Sequence, residues 1–298
     1  MKKFLLLVVL AALAVKPSFS QVDNKFDYID EKAINAFAQP LVTSLGVAMN
    51  SASYHSAHIP STFGFSIGVR AMVMFIPDDQ KTFTPDLPAG YKSVSGSNAT
   101  ATFLGSDGAI YSGPNGFLTY PSGINQSNLP FAFPQATVSL LGTEVLVRYA
   151  PLKIKSDDGA ETKITLFGLG LRHSISRYIP FCPVDIAVQV LYNKFEIGDL
   201  ASSKNMAYGA QVSKTFGLLS LYGGLQFEKS NVNFDYTTKV DPENPLLQSP
   251  KHVTADIDGN NKTRLTVGTS LSLGVLMLNA DYSLGSQAVA SAGLTFEF

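Results

Sequence analysis

The sequence contains four histidines, the residues most often used as metal ligands and as catalytic bases. They are His55, His58, His173 and His252. His55 and His58 stand three residues apart, as two metal ligands can, but they have no third ligand and no helix or strand pattern around them. His173 precedes Ser174, and this spacing does not match the base and nucleophile of an enzyme. The histidines therefore indicate no metal, no cofactor and no catalytic centre, and we expect a protein that is not an enzyme.

A second group of side chains is larger and mixes charges of both signs with amides and two methionines. Each member stands opposite the apolar residues of an alternating segment, and we call the group the inward set. Its members are Arg70, Met72, Met74, Glu144, Arg148, Arg172, Asp185, Gln189, Gln226, Glu228, Arg264 and Asp281. Facing one another across an interior, the polar members can fill it with salt bridges and hydrogen bonds, or they can line a polar conduit or gate. The methionines can fill space beside a plug or line an apolar passage.

The segments that position the inward set alternate between apolar and polar residues. In 62–75, TFGFSIGVRAMVMF, the odd positions from Phe63 to Phe75 are apolar, and Arg70 lies on the other face. A period of two is the pattern of a β-strand with two different faces. The pattern recurs, with varying clarity, in 136–149, 162–175, 184–193, 203–214, 219–228, 262–273, 275–284 and 288–298. Strands that cross a membrane need about nine to eleven residues, and these segments are long enough.

The connections between these segments are of two kinds. Those at 215–217 and 273–275 are tight, whereas 77–134 and 231–261 are long and polar. Tight turns at one end and long loops at the other are typical of bacterial outer-membrane barrels, which have an even number of strands. One further strand within 98–131 brings the count to about ten. The sequence therefore predicts an all-β fold, a transmembrane antiparallel up-and-down barrel of about ten strands over 62–298, with 12–14 strands as the alternative.

The first twenty residues read as an export signal. Two lysines precede an apolar run from Phe4 to Val15, and small residues surround Ser20. This pattern predicts a signal peptide over 1–20 that is cleaved near Ser20 and Gln21. No later run reaches the roughly 18 apolar residues of a transmembrane helix. We therefore expect the mature chain in the outer membrane of a Gram-negative bacterium, in contact with its lipid.

Residues 21–61 differ in pattern from the strands that follow. An acidic start and helix-forming residues predict a short helix over 29–38, which Pro40 would end. This N-terminal segment is expected to lie outside the wall of the barrel as a small plug in the lumen.

The composition agrees with a barrel of this kind. The net charge is −1, so the chain has no basic surface that would indicate nucleic acid. Charged residues make up 15% of the chain, below the roughly 25% of a typical soluble domain. Cys182 is the single cysteine, which excludes an intramolecular disulfide.

The chain ends in AVASAGLTFEF, with apolar residues at alternate positions and a terminal aromatic. This ending resembles the C-terminal insertion signal of bacterial outer-membrane proteins. The resemblance implies that Leu294, Phe296 and Phe298 form the assembly signal and that the barrel-assembly machinery is a partner.

A second resemblance covers more of the chain. PSTFGFSIGVRAMVMFIPDD is similar to the first barrel strand of FadL-type fatty-acid transporters, and LPFAFPQATVSLLGTEVLVRYAP with GLGLRHSISRYIP resembles an uncharacterised barrel family of Bacteroidota. The resemblance implies a luminal hatch and porin-like transport of a small hydrophobic molecule. The NPA-type hatch motif of the transporters is not found in this chain. A closed structural or surface-binding barrel that acts through its extracellular loops is the alternative.

Overall fold

The computed structural model describes residues 31–114, 116–155, 161–237 and 252–298. The predicted signal peptide and the first ten residues of the predicted plug lie outside the described residues. The elements are α1 Glu31–Asn50, β1 Gly64–Phe75, β2 Thr82–Phe83, β3 Lys92–Ser93, β4 Thr100–Ala101, β5 Ile110–Gly113, β6 Gly116–Thr119, β7 Asn128–Leu140, β8 Thr143–Lys155, β9 Glu161–Ser174, β10 Asp185–Ile197, β11 Ala201–Phe216, β12 Leu219–Thr237, β13 His252–Asp258, β14 Thr263–Leu273, β15 Leu276–Leu284 and β16 Ala288–Glu297.

Ten strands form a closed antiparallel wall, and this confirms the fold class and strand number predicted from the sequence. Each wall strand pairs with the next in the chain order β1, β7, β8, β9, β10, β11, β12, β14, β15, β16, and β16 pairs with β1 to close the ring. β13 and β14 both pair with β12 and are separated by a bulge. In this bulge the four residues 259–262 stand opposite the three residues 228–230 of β12. Among the described residues, no helix combines the length and apolar character needed to cross a membrane.

One prediction about the strands was wrong in detail. The segment 136–149 is not one strand, because the chain reverses at Leu141 and Gly142, whose φ angles are 53° and 73°. Two consecutive residues with positive φ form the tight hairpin turn that joins twisted strands, and leucine is rarely found there. The strand expected within 98–131 is therefore β7, which begins only at Asn128.

The loops and the helix also differ from the predicted boundaries. The first long loop ends at 127, and β12 and β13 extend into the predicted loop 231–261. The helix does not end at Pro40 but continues to Asn50. A proline inside a helix removes one N–H donor. Pro40 therefore cannot donate to the Ala36 carbonyl. Its own carbonyl accepts from the Ser44 hydroxyl at 2.8 Å and from Gln287, in the connection between β15 and β16, at 3.2 Å.

The two faces of the wall are opposite in character. Large apolar side chains point outward and are exposed on every wall strand, for example Ile67 on β1, Leu169 on β9 and Val267 on β14. Charged and amide side chains point inward and are buried. A soluble sandwich has the reverse arrangement, because its apolar faces pack on one another. The outward face is therefore suited to hydrocarbon rather than water.

Candidate functional site

The interior of the barrel is occupied by α1 and the segment 51–59, which together we call the plug. The helix begins at the long-loop end, where Ala33 packs on Tyr111 and Tyr120 of the loop 76–127. It then runs down the lumen, and the chain after it continues to the tight-turn end, where Ile59 is buried. One close approach permits this fit: a Cβ on Gly46 would lie 2.3 Å from the Ser230 hydroxyl of β12.

The wall holds the plug chiefly through the backbone carbonyls at the C-terminal end of α1. The last four carbonyls of a helix have no partner within the helix, and the helix dipole makes this end negative. Wall side chains donate to these carbonyls and to the next ones along the chain. The contacts are Arg264 to Val47 at 3.3 Å, Arg148 to Met49 and to Ser51 at 2.9 Å each, Gln226 to Asn50 at 3.0 Å and Gln135 to Ser53 at 3.1 Å.

Arg148 binds the plug without a carboxylate partner among the described residues. Besides the two carbonyls, its guanidinium donates to the Ser53 hydroxyl at 3.3 Å and to Gln135 Oε1 at 3.2 and 3.3 Å. It also lies 5.3 Å from the centre of the Phe133 ring. All these partners are neutral, so the buried positive charge of Arg148 is stabilised by dipoles that the plug supplies in large part.

Two ion pairs of the inward set are buried on the lumen side of the wall. Arg172 donates to both oxygens of Glu144, at 2.9 and 3.1 Å, and to the Ser56 carbonyl of the plug. Arg264 donates to both oxygens of Glu228, at 2.6 and 3.2 Å. Both pairs are bidentate and buried, so each neutralises its charges internally while the arginine keeps a donor for the plug.

A third contact joins the plug to the junction where β1 pairs with β16. His55 Nε2 lies 2.8 Å from Glu297 Oε1, and His55 Nδ1 faces an N–H of Arg70. A guanidinium can only donate, so Nδ1 of His55 accepts the hydrogen bond from Arg70. The proton of the neutral ring is therefore on Nε2, which donates a hydrogen bond to Glu297. Arg70 also donates to Asn279. The neutral ring of His55 therefore links the first and last strands of the wall.

We expect this contact to weaken in acid. Burial lowers the pKa of His55 below its usual range, so the ring is neutral near pH 7. A proton on Nδ1 would face the N–H of Arg70 and add a positive charge near Arg70 and Arg172, which the nearby Glu297 only partly offsets. The stability that the neutral ring provides is therefore complete above the unfolded pKa of about 6.5 and is lost as the pH falls through the lowered folded value.

The measurement is the free energy of unfolding between pH 7.5 and 5. For one proton we expect a slope of up to about 1.4 kcal/mol per pH unit below pH 6.5. His55→Gln should remove this slope, since a glutamine can accept from Arg70 and donate to Glu297 without titrating. His58→Gln is the matched control, because His58 is exposed and lies 3.3 Å from Asp185. An equal slope in the wild type and His55→Gln would contradict the assignment.

The rest of the inward set also points into the lumen. Asp185 lies beside His58 near the tight-turn end, Tyr222 donates to Asp281 at 2.9 Å, and Gln189 donates to Gln226 at 3.1 Å. Met72 and Met74 are buried among apolar groups. Leu294, Phe296 and Phe298 point outward on or just beyond β16 and are exposed.

One side of the lumen is apolar, and much of the remainder is polar. The apolar part, which we call the seam, lies towards the long-loop end between α1 and the strands β1, β7, β8, β9 and β16. Its principal members are Val47, Met49, Met72, Met74, Leu129, Phe131, Phe133, Ala150, Leu166 and Val289. It ends where Phe133 meets Arg148, so the guanidinium of Arg148 stands at the boundary between the two parts.

The polar part contains a cavity of about 300 Å³ at the tight-turn end, which we call the vestibule. Hydroxyl groups line much of it, including those of Ser66, Thr137 and Ser220. A smaller cavity of about 40 Å³ lies deeper, beside Asn50, and shares Ser53 and Tyr54 with the vestibule. The vestibule is at the lower limit of the volume that small-molecule sites occupy, roughly 300 to 1,000 Å³.

The wall beside the seam is interrupted. β8 pairs with β9 over the whole of Thr143–Lys155, but β7 pairs with β8 only from Gln135 opposite Arg148 to the turn. Within the described residues, 128–134 and 149–155 form no ladder with each other. Pro130, Pro134 and Pro151 lie in these stretches, and a proline has no N–H to donate to a ladder. We call this stretch the wall gap.

Several residues of the site carry no signal in the sequence. Tyr54 and the carbonyls of the plug are in place because α1 continues beyond Pro40 into the lumen, and Gln135 of β7 faces them. His55 stood out only as half of a metal pair, whereas its partners are Arg70 and Glu297. Among the described residues, no group of three or more metal-ligating side chains is present.

Comparison with known proteins adds one family and several distant structures. The model of DUF6588, a family of unknown function, matches residues 1–298. No curated protein matches the sequence. The chain is similar to Ail, the attachment invasion locus protein of Yersinia pestis, with 11% identity over 79% of this chain and 97% of that one, and a TM-score of 0.28.

Two other solved structures are comparably distant. The chain is similar to OmpT, an outer membrane protein of Vibrio cholerae, with 9% identity over 80% of this chain and 100% of that one, at a TM-score of 0.28. It is also similar to TodX, the toluene transporter of P. putida, with 9% identity over 82% of this chain and 70% of that one, at a TM-score of 0.30. Likenesses this distant assign no activity.

Proposed function

The chain belongs to the DUF6588 family of unknown function, and for it we propose the role of a plugged conduit that passes a small hydrophobic molecule across the outer membrane of a Gram-negative bacterium. The single observation that carries the proposal is the wall gap, because the apolar seam lies directly behind it.

The outward surface supports a place in the membrane. A closed barrel pairs the backbone N–H and C=O groups of neighbouring strands, which is the condition for crossing hydrocarbon. Each square ångström of apolar surface moved from water to hydrocarbon is worth about 25 cal/mol, so the exposed leucine, valine and phenylalanine side chains favour insertion. Leu294, Phe296 and Phe298 are proposed to be the signal that the barrel-assembly machinery recognises.

The wall gap supports the passage of an apolar molecule. Unpaired backbone groups in hydrocarbon cost several kcal/mol each, so a gap in a ladder is unfavourable unless its donors are few. Prolines at 130, 134 and 151 reduce the number of donors on both sides of the gap. Phe131, Phe133 and Ala150 of the seam belong to the same two stretches. An apolar molecule can therefore move between the seam and the bilayer without entering water.

A second candidate function rests on the loop 76–127. This loop is built from two small sheets, one pairing β2 with β4 and the other joining β3, β5 and β6. Val94, Ile110 and Phe117 are exposed on it. An ordered loop with exposed apolar side chains favours a surface-binding barrel whose filled lumen is a rigid support.

Filling the seam should block transport if the first function is correct. Ala150 is partly buried and packs against the seam, so Ala150→Phe places a ring where the molecule would pass. We expect a loss of roughly tenfold in the rate at which N-phenyl-1-naphthylamine enters cells that carry the protein, because steric access to an apolar passage is removed.

The matched control is Ala210→Phe, which adds the same ring to an exposed position on the outward face of β11. It should leave the rate unchanged. Both variants are first checked for heat-modifiable mobility on gels, which reports a folded barrel. Equal uptake by the wild type, Ala150→Phe and cells without the protein would reject transport and favour the surface-binding candidate.

A further inference from the structure

The tight-turn end of the barrel is apolar at every connection, which is unusual for a surface that faces water. The four turns and the two ends of the wall each present a large exposed apolar side chain at their tip. These tips are Phe63, Leu141, Phe181, Leu218, Val275 and Phe298, and we call them the rim. In these four turns the charged residue is Arg177, and Lys214 lies near the end of β11.

The longest of these turns, 175–184, shows the feature most clearly. Phe181 is fully exposed, and Tyr178 and Ile179 beside it are exposed as well. The φ angle of Phe181 is 56°, which is in the left-handed region that a bulky side chain rarely adopts. Such a backbone costs about 1 to 2 kcal/mol. Transfer of the exposed Phe181 ring from water to lipid would offset this cost.

We propose that the rim lies in the interface of the periplasmic leaflet, with Phe181 and Ile179 inserted beside the lipid headgroups. This proposal rests on the proposed place of the barrel in the outer membrane. The occupant is lipid rather than a protein because the rim continues the outward faces of the wall: Phe63 stands two residues before Phe65, and Phe298 stands two residues after Phe296. The tips also surround the whole barrel, whereas a protein partner would cover one side of it.

The depth of the rim has a consequence for the vestibule. Phe65 and Phe298 border the open end of the vestibule. The centroids of their rings are 6.4 Å apart. A rim at headgroup depth places this side of the vestibule at the boundary between lipid and water.

Cys182 supplies a natural probe, because it is the single cysteine and follows Phe181. The protein is labelled there with a nitrobenzoxadiazole maleimide and reconstituted in phosphatidylcholine vesicles. Quenching is compared between headgroup-nitroxide lipids and a water-soluble nitroxide. We expect blue-shifted emission, strong quenching by the lipid and weak quenching from water. The control is Ser97→Cys with Cys182→Ser, which places the label on the exposed outer loop and should show the opposite pattern.

A second variant tests whether the loop or the label enters the leaflet. Ile179→Ser with Phe181→Ser keeps Cys182 and should shift quenching from the lipid to the aqueous nitroxide. The proposal is overturned if the wild-type label is quenched from water as strongly as the label at 97, or if the double variant leaves the lipid quenching unchanged. Flotation of the vesicles reports insertion separately, so a failure of the membrane location is distinguished from a failure of the rim.

Discussion

Deletion of residues 21–61 is expected to convert a closed barrel into a conducting one. The plug fills the lumen from the loop 76–127 to the vestibule, and a ten-stranded wall without it encloses a polar interior lined by Arg148, Arg172, Arg264 and their partners. Water and ions can enter such an interior. In planar bilayers we expect discrete current steps on the order of tenfold larger than any seen with the intact chain.

A point variant separates the loss of the plug from a general loss of structure. Arg148→Gln removes the donors to Met49 and Ser51 while the wall keeps all its backbone pairs. It should show brief openings of intermediate size. The control is Arg177→Gln, which changes an arginine in the turn 175–184 at the tight-turn end rather than in the lumen. A deletion variant that folds, as judged by heat-modifiable mobility, yet carries no current would show that the wall collapses or closes without the plug.

The largest effect of a single substitution on stability is expected at Glu228. Its carboxylate accepts from Arg264, from Gln226 at 2.8 Å and from Asn261 at 2.7 Å, so every neighbour is a donor. Glu228→Gln removes the negative charge and turns one acceptor into a donor. Breaking a buried pair by removing one partner costs about 3 to 5 kcal/mol, and we expect that loss in the free energy of unfolding.

Two controls make this measurement specific. Glu196→Gln removes a carboxylate that lies 2.6 Å from Lys194 on the outward face, where both side chains are more than a third exposed. Its cost should stay below about 1 kcal/mol. The double variant Glu228→Gln with Arg264→Gln removes the unpaired charge and should recover part of the loss. A single variant as stable as the wild type would mean that water reaches the pair.

The wall was largely predictable from the sequence, because a period of two assigns each residue to one face. Arg70, Arg148 and Arg264 could be placed inside for this reason alone. The turn at Leu141 and Gly142 could not, since the leucine has the hydrophobicity of a strand residue and its positive φ leaves no mark in the pattern. The extension of α1 beyond Pro40 was missed for a similar reason, because contacts with the wall outweigh the local effect of the proline.

The contacts that each residue of the inward set makes could not be predicted from the alternation of the sequence. Parity shows that Arg148 and Glu144 share a face, but the distance between strands and the presence of the plug decide which group each one meets. Arg148 binds carbonyls, which every residue possesses and no residue type reveals. His55 was considered only for its spacing from His58, which gave no indication that the fold brings it to Arg70 and Glu297.

The course of the plug has a mechanical consequence. α1 begins at the long-loop end and β1 begins at the tight-turn end, so the plug runs through the lumen from one end of the barrel to the other. A pull on the segment 51–59 along the axis breaks the contacts of Ser56, Ser53 and Ser51 one after another. A pull from the helical end loads the contacts of the whole helix together. The plug should therefore yield to a much smaller force from the tight-turn side than from the long-loop side.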